Sequence, residues 1–166
     1  MLAIVAAAWL AWHPLDPVAL AAWDRSRLVG HPVSRATATA IGKAVRLATI
    51  RTGIPPAVLL ALIEVESSYD IRATSKAGCV GLCQLSPRTA AEFRFKAGLT
   101  RFKLTDPEDS IALGAAYLRW NLDRHGTLGQ ALTCYNLGSA RHRGGVSDYA
   151  RKIIRLAKTI EIRYSL

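Results

Sequence analysis

Helix start and stop signals recur along this sequence, and they constrain its fold more than any other feature. Ser86-Pro87 and Asp106-Pro107 each place an N-cap side chain directly before a proline at the first helical position. Thr127 and Gln130 have the spacing of a capping box, and Ser147 is placed to cap a last helix. Glycines follow several of the predicted helix ends. These signals predict helices over about residues 34–51, 56–67, 86–96, 106–124, 127–138 and 148–164.

Residues 70–85, DIRATSKAGCVGLCQL, interrupt the helical pattern. Glycine and small residues dominate this segment, which predicts a loop containing a short hairpin. The predicted fold class is therefore mainly α: a single compact helical domain with a short loop or hairpin segment after the helix that ends near residue 67.

The size and charge of the chain limit its class. With 166 residues and 51% hydrophobic residues it is long and apolar enough to bury a core, which excludes a disordered chain. Its net charge of +10 favours an anionic partner, which could be nucleic acid, anionic lipid or an anionic wall polymer. Charge alone does not distinguish these partners from a merely cationic surface.

The N-terminal 30 residues begin with an apolar run from Leu2 to Trp12, which is short for a membrane span and suits the core of an export signal. Ala19-Leu20-Ala21 offers a cleavage site. Since no Lys or Arg precedes the run, an extra helix of the mature fold is the alternative. We therefore predict residues 1–30 as a signal or anchor segment and residues 31–166 as the domain.

Cysteines and histidines give no metal-binding pattern. Cys79, Cys83 and Cys134 lack paired CxxC spacing, so they are either one disulfide with a free thiol or three buried thiols. The four histidines are scattered along the chain. We expect neither a metal site nor a cofactor.

Two glutamates stand in the apolar stretch LLALIEVESSYD, residues 59–70. On a helix, Glu66 falls on the same face as Leu62 and Ile63, whereas Glu64 falls nearly opposite and is predicted to be solvated. Burial of Glu66 would favour its protonated form, which suits a general acid. A buried glutamate paired with an Arg or Lys remains the alternative for Glu66 at this point.

Four ordered motifs resemble the soluble lytic transglycosylase (SLT) domain, a lysozyme-like α+β family that cleaves peptidoglycan. Residues 66–90, ESSYDIRATSKAGCVGLCQLSPRTA, match its core in register, and DPEDSIALGAAYLRW, ALTCYNLG and YARKI follow in the family's order. Cys79, Cys83 and Ser110 depart from the family's usual residues. The resemblance covers about residues 45–160.

The resemblance implies a peptidoglycan lytic transglycosylase in which Glu66 is the single catalytic acid and base. It would cleave the β-1,4 bond between N-acetylmuramic acid and N-acetylglucosamine and leave a 1,6-anhydromuramic end. The substrate-binding residues implied are Ser67, Gly81, Gln84, Tyr135 and Asn136. Tyr135 is expected to hydrogen-bond Glu66, whereas Tyr117 and Tyr149 are expected to pack.

A goose-type muramidase with the same acid, and a non-catalytic wall-binding module, are the alternative functions. Peptidoglycan glycan strands are the expected partner. Secretion-system, conjugation or phage proteins are further candidates, whereas specific nucleic acid is not expected. We expect a monomer located in the cell envelope, in the periplasm or outside the cell.

Overall fold

The computed structural model of the chain describes residues 15–138 and 145–166, and this part contains seven helices. They are α1 (Pro17–Leu28), α2 (Arg35–Thr52), α3 (Pro56–Ser67), α4 (Pro87–Phe93), α5 (Pro107–His125), α6 (Leu128–Leu137) and α7 (Asp148–Tyr164). Extended pairing in the described residues is limited to two isolated antiparallel bridges, Thr74 with Val80 and Val80 with Leu85. The predicted mainly helical fold with a short irregular segment is confirmed.

The helix boundaries follow the predicted capping residues. Ser86, Asp106, Thr127 and Ser147 each cap a helix through a side-chain oxygen that accepts from backbone N–H groups of the first turn. The helix predicted to reach Lys96 instead ends at Phe93. Residues 94–98 continue as turns, so α4 is shorter than its sequence pattern indicated.

Helix α3 forms the centre of the core. Leu59, Leu60, Leu62 and Ile63 are all at most 1% exposed, and burying each such side chain contributes about 1.5–3 kcal/mol. Ala57 and Ala61, on the other side of the helix, are buried as well. Helix α3 is therefore covered all round, by α7 on one side and by α1 and α2 on others.

Helix α1 shares this core. Asp16 caps it, and Ala19 and Ala21 are fully buried. Helix α2 approaches closely at Gly42, where an added Cβ would lie 2.7 Å from the Cβ of Ala19. The boundary predicted at residue 30 stays a prediction, but residues 17–28 pack as part of the helical domain.

The proposed cleavage sequence Ala19-Leu20-Ala21 lies inside α1. The apolar run Leu2–Trp12, predicted as a signal or anchor, lies outside the described residues. Among the helices described, none combines the length and the apolar character that crossing a bilayer requires.

Candidate active site

Glu66 lies in the last turn of α3 and is half-buried. The hydroxyl of Tyr149, on α7, donates a hydrogen bond to its Oε1. Burial raises the pKa of the Glu66 carboxyl above its usual value, and the bond from Tyr149, which favours the ionised form, opposes that rise in pKa only partly. The predicted effect of desolvation on Glu66 is confirmed.

The turn after Glu66 fixes the end of the helix. Ser68 and Tyr69 both have positive φ, at 51° and 66°, which side-chain-bearing residues adopt only where their surroundings hold them. Tyr69 is 1% exposed, and its hydroxyl donates to the carbonyl of Leu60 at 3.2 Å. This buried ring anchors the chain as it leaves the helix and so fixes the position of Glu66.

Glu64 contradicts its prediction as a solvated residue. It is 9% exposed and forms a two-pronged ion pair with Arg25 of α1, with Nη2–Oε1 at 2.5 Å and Nε–Oε2 at 2.7 Å. The bonds to Glu64 are the main reason that the pKa of Arg25 is raised. The prediction failed because a helical wheel assumes one face in water, whereas α1 covers the second face of α3. The buried pair with arginine considered for Glu66 is found at Glu64.

Tyr135 and Tyr149 exchange the roles expected of them. The hydroxyl of Tyr135 donates to the carbonyl of Cys83 at 2.8 Å, so its predicted bond to Glu66 is wrong. Tyr149, expected to pack, makes that bond instead. Its position in the motif YARKI was the only sequence signal for this role. Tyr117 packs as expected, with its ring centroid 5.0 Å from that of Tyr135.

Gly81 lies where the loop approaches another backbone segment. Its φ is +79°, and an added Cβ would lie 1.8 Å from the carbonyl oxygen of Leu104. Its N–H donates to the carbonyl of Ala73 at 2.9 Å. The absence of a side chain at Gly81 therefore allows the loop to pack against the backbone of Leu104.

Gln84 braces the same loop. Its Nε2 donates to the carbonyls of Ala73 at 3.1 Å and Gly81 at 3.0 Å. The N–H of Cys83 donates to the hydroxyl of Ser110 at 3.2 Å, which ties the loop to α5. The Ser110 hydroxyl thus holds the loop in place.

Ser67 and Asn136 lie at the ends of α3 and α6. The Ser67 hydroxyl is buried and donates to the carbonyl of Ile63 at 3.0 Å, so it does not bond Glu66. Asn136 is exposed in the last turn of α6. The substrate-binding roles of Ser67, Gly81, Gln84, Tyr135 and Asn136 stay predictions.

All three cysteines are free thiols, so the structure shows no disulfide among them. Cys83 and Cys134 are buried, whereas Cys79 is partly exposed. Burial, together with the nearby charge of Glu66, raises the pKa of the Cys83 thiol to about 12. Across residues 15–138 and 145–166, no group of three or more His, Cys, Asp or Glu side chains is arranged to hold a metal ion.

Comparison with known proteins identifies one family. The sequence model of the Transglycosylase SLT domain matches residues 43–156, which is more than half of the chain and includes Glu66 and Tyr149. A transglycosylase of Enterobacteria phage PRD1 is 34% identical over 110 residues, which cover 65% of this chain and 39% of the phage protein. A membrane-bound lytic murein transglycosylase C of Photorhabdus laumondii is 37% identical over 79 residues, covering 45% of this chain and 22% of that protein.

Solved structures show the same fold. An inactive glutamate-to-glutamine variant of the lytic transglycosylase Slt of Pseudomonas aeruginosa superposes with a TM-score of 0.64 at 22% identity, covering 74% of this chain and 24% of that one. The 70 kDa soluble lytic transglycosylase of Escherichia coli gives a TM-score of 0.55 at 22% identity, covering 71% of this chain and 19% of that one. The chain thus spans well under half the length of these relatives.

Proposed function

The chain belongs to the transglycosylase SLT domain family, and from this premise we propose that it is a peptidoglycan lytic transglycosylase. The observation that carries the proposal is Glu66, a half-buried carboxyl of raised pKa held by Tyr149 inside the matched region. A carboxyl that keeps its proton at higher pH than usual can donate it to a leaving group. In support, the Pseudomonas aeruginosa relative is inactive when a glutamate is replaced by glutamine.

Glu66 performs both proton transfers of the reaction. It first gives its proton to the glycosidic oxygen between N-acetylmuramic acid and N-acetylglucosamine, and the bond from the muramoyl C1 to that oxygen breaks. The resulting carboxylate then takes the proton of the muramoyl 6-hydroxyl, whose oxygen bonds to C1 and closes the 1,6-anhydro ring. Glu66 regains its proton, and no water is consumed.

A single carboxyl suffices for this reaction, whereas most glycoside hydrolases use a pair at a set separation. In the part of the chain that the structure describes, no other carboxylate contributes to the pKa shift of Glu66. The neighbouring Glu64 is bound to Arg25 and points into the α1 contact. These observations favour the lyase over a two-carboxylate hydrolase.

The remaining site residues act around Glu66. Tyr149 orients the carboxyl and lowers the pKa that burial raises, which leaves the acid able to act as a base in the second step. Tyr135 and Gln84 donate hydrogen bonds to backbone carbonyls of the loop 81–84. We therefore assign both residues the role of shaping the glycan groove. Asn136 is exposed at the end of α6, and we assign it to contact with a sugar.

Peptidoglycan as substrate puts the working protein in the cell envelope, where it would contact glycan strands. The excess of cationic over anionic side chains suits an anionic wall polymer. Secretion-system, conjugation and phage proteins remain candidate partners. Recovery of the protein from envelope fractions, with sequencing of its first residues, tests the localisation and whether the N-terminal segment is retained.

The activity is tested by mass spectrometry of the muropeptides released from purified sacculi. We expect products with 1,6-anhydromuramic ends that resist borohydride reduction. Glu66→Gln should lower turnover by about 10²–10⁴-fold or more, because one group serves both proton transfers. Glu161→Gln, which changes an exposed glutamate of α7, is the matched control and should retain activity.

Three results would overturn the proposal in different ways. Near-normal turnover by folded Glu66→Gln would remove Glu66 from the chemistry. Reducible products from an active wild-type enzyme would keep the acid but make the protein a muramidase. No release of muropeptides by well-folded protein would favour a wall-binding module.

A further inference from the structure

A pocket lies between the end of α2, the turns at 94–98 and the middle of α5. It has a volume of about 260 Å³, and three cationic side chains line it: Arg51, Lys96 and Arg119. The only carboxylate in its lining, Asp123, already accepts a bond from Nε of Arg119 at 2.8 Å. The pocket therefore carries an excess of positive charge that its own residues do not neutralise.

Arg51 and Lys96 are held in place by the protein, and Arg124 lies close to the pocket over the ring of Trp120. Nη1 of Arg51 donates to the carbonyl of Ala97 at 2.9 Å, which ties α2 to the turns 94–98. The Lys96 ammonium lies 5.8 Å from the ring centroid of Trp120, and the Arg124 guanidinium lies 4.8 Å from the same ring. Cations placed over an aromatic face lose little further freedom when an anion binds.

Large apolar side chains that neighbour these cations along the chain are exposed. Ile50, directly before Arg51, is 81% exposed, and Phe95, directly before Lys96, is 67% exposed. Leu47, one helical turn before Arg51 on α2, is 45% exposed. Apolar groups grouped beside a cationic pocket are typical of surfaces that bind a partner rather than water.

We propose that this surface, formed by Leu47, Ile50, Phe95, Lys96, Arg119 and Trp120, docks the domain on a bilayer that contains anionic phospholipid. The phosphate of a headgroup occupies the cationic pocket, and Ile50 and Phe95 enter the boundary between headgroups and acyl chains. Lipid fits better than a soluble polyanion, because a hydrophilic polymer offers no apolar region for Ile50 and Phe95 to enter. The surface is built from α2, the 94–98 turns and α5, whereas Glu66 and Tyr149 belong to α3 and α7.

Co-sedimentation with vesicles tests this proposal independently of catalysis. We expect the protein to bind phosphatidylcholine vesicles that contain phosphatidylglycerol, and to bind pure phosphatidylcholine vesicles far less. Lys96→Gln should weaken binding about fivefold, the effect of one cation near an anionic surface. The double variant Ile50→Ser with Phe95→Ser should weaken it on the order of tenfold or more.

Helix α7 supplies matched controls, because it is also basic and carries Ile162, which is 82% exposed. Lys158→Gln and Ile162→Ser should leave vesicle binding within about twofold of wild type. Salt screens the attraction between the membrane and a cation that lies outside the proposed docking surface. Equal losses in the α7 variants would overturn the proposal and indicate unspecific attraction. Absence of vesicle binding would also overturn it. The proposal would also be overturned if the protein bound soluble polyphosphate tightly and the Ile50→Ser, Phe95→Ser variant still bound vesicles as well as the wild type does.

Discussion

Glu64→Gln is the perturbation that separates structural from catalytic carboxyl groups in α3. The Glu64 carboxylate is 9% exposed and the Arg25 side chain 14% exposed, and two hydrogen bonds join them. Breaking such a buried pair leaves an uncompensated charge, which costs about 3–5 kcal/mol. Since the glutamine amide oxygen still accepts one bond, we expect a loss near the lower end, about 3 kcal/mol. For a chain of this size that lowers Tm by roughly 6–12 °C.

Glu66→Gln makes the same chemical change two residues later and should act in the opposite direction. The raised pKa of Glu66 means that the folded state holds its proton more tightly than the unfolded state does. The contribution of Glu66 to stability is therefore greatest below the usual carboxyl pKa and is lost as pH rises through the higher folded pKa. Near pH 7 the neutral amide of Glu66→Gln avoids the cost of burying an ionised carboxyl, so the Tm of this variant should be unchanged or higher.

Thermal unfolding followed by circular dichroism near pH 7 measures both variants, and muropeptide release well below their Tm measures activity. We expect Glu64→Gln to be unstable but active, and Glu66→Gln to be stable but inactive. In the double variant Arg25→Met, Glu64→Leu most of the lost stability should return, because apolar side chains of similar volume commonly replace a buried pair. An unchanged Tm in Glu64→Gln would refute the buried pair and the role we give to α1.

Two substitutions and one labelling experiment probe the site further. Tyr149→Phe removes a hydrogen bond that lowers the pKa of Glu66, so the alkaline limb of the pH–activity profile should move to higher pH; an unmoved limb would mean that another group titrates. Gly81→Ala should cost several kcal/mol in chemical denaturation, whereas Gly78→Ala, with a similar φ but open space, should cost only about 1–2 kcal/mol; equal losses would contradict the backbone clash. The Cys83 thiol, with its pKa near 12, should resist iodoacetamide at mildly alkaline pH until urea unfolds the protein, and rapid labelling of the folded protein would show that it is accessible.

The helices could be predicted because their signals are local. A capping side chain such as Ser86 or Thr127 acts on N–H groups within the next turn, so the sequence near the helix end contains the whole interaction. The position of Glu66 on an apolar face is local in the same sense. The helix limits and the apolar surroundings of Glu66 can therefore be predicted from the sequence alone.

The failed predictions involve contacts between distant segments. Glu64 was misjudged because its partner Arg25 lies 39 residues away, in a segment predicted as a signal or anchor. Whether Tyr135 or Tyr149 bonds Glu66 depends on how α6 and α7 pack against α3. The family motifs predict both tyrosines near the site but do not determine which hydroxyl faces the carboxyl. Long-range packing, rather than local propensity, determined these outcomes.

The bond between Glu66 and Tyr149 also has a consequence for the timing of synthesis. The two residues are 83 positions apart, and a ribosome adding about 5–20 residues per second needs roughly 4–17 s to cover that interval. During this time the nascent chain carries the carboxyl of α3 without the hydroxyl that orients it. The carboxyl that we propose as the catalytic acid therefore meets its orienting hydroxyl only after residue 149 has been translated.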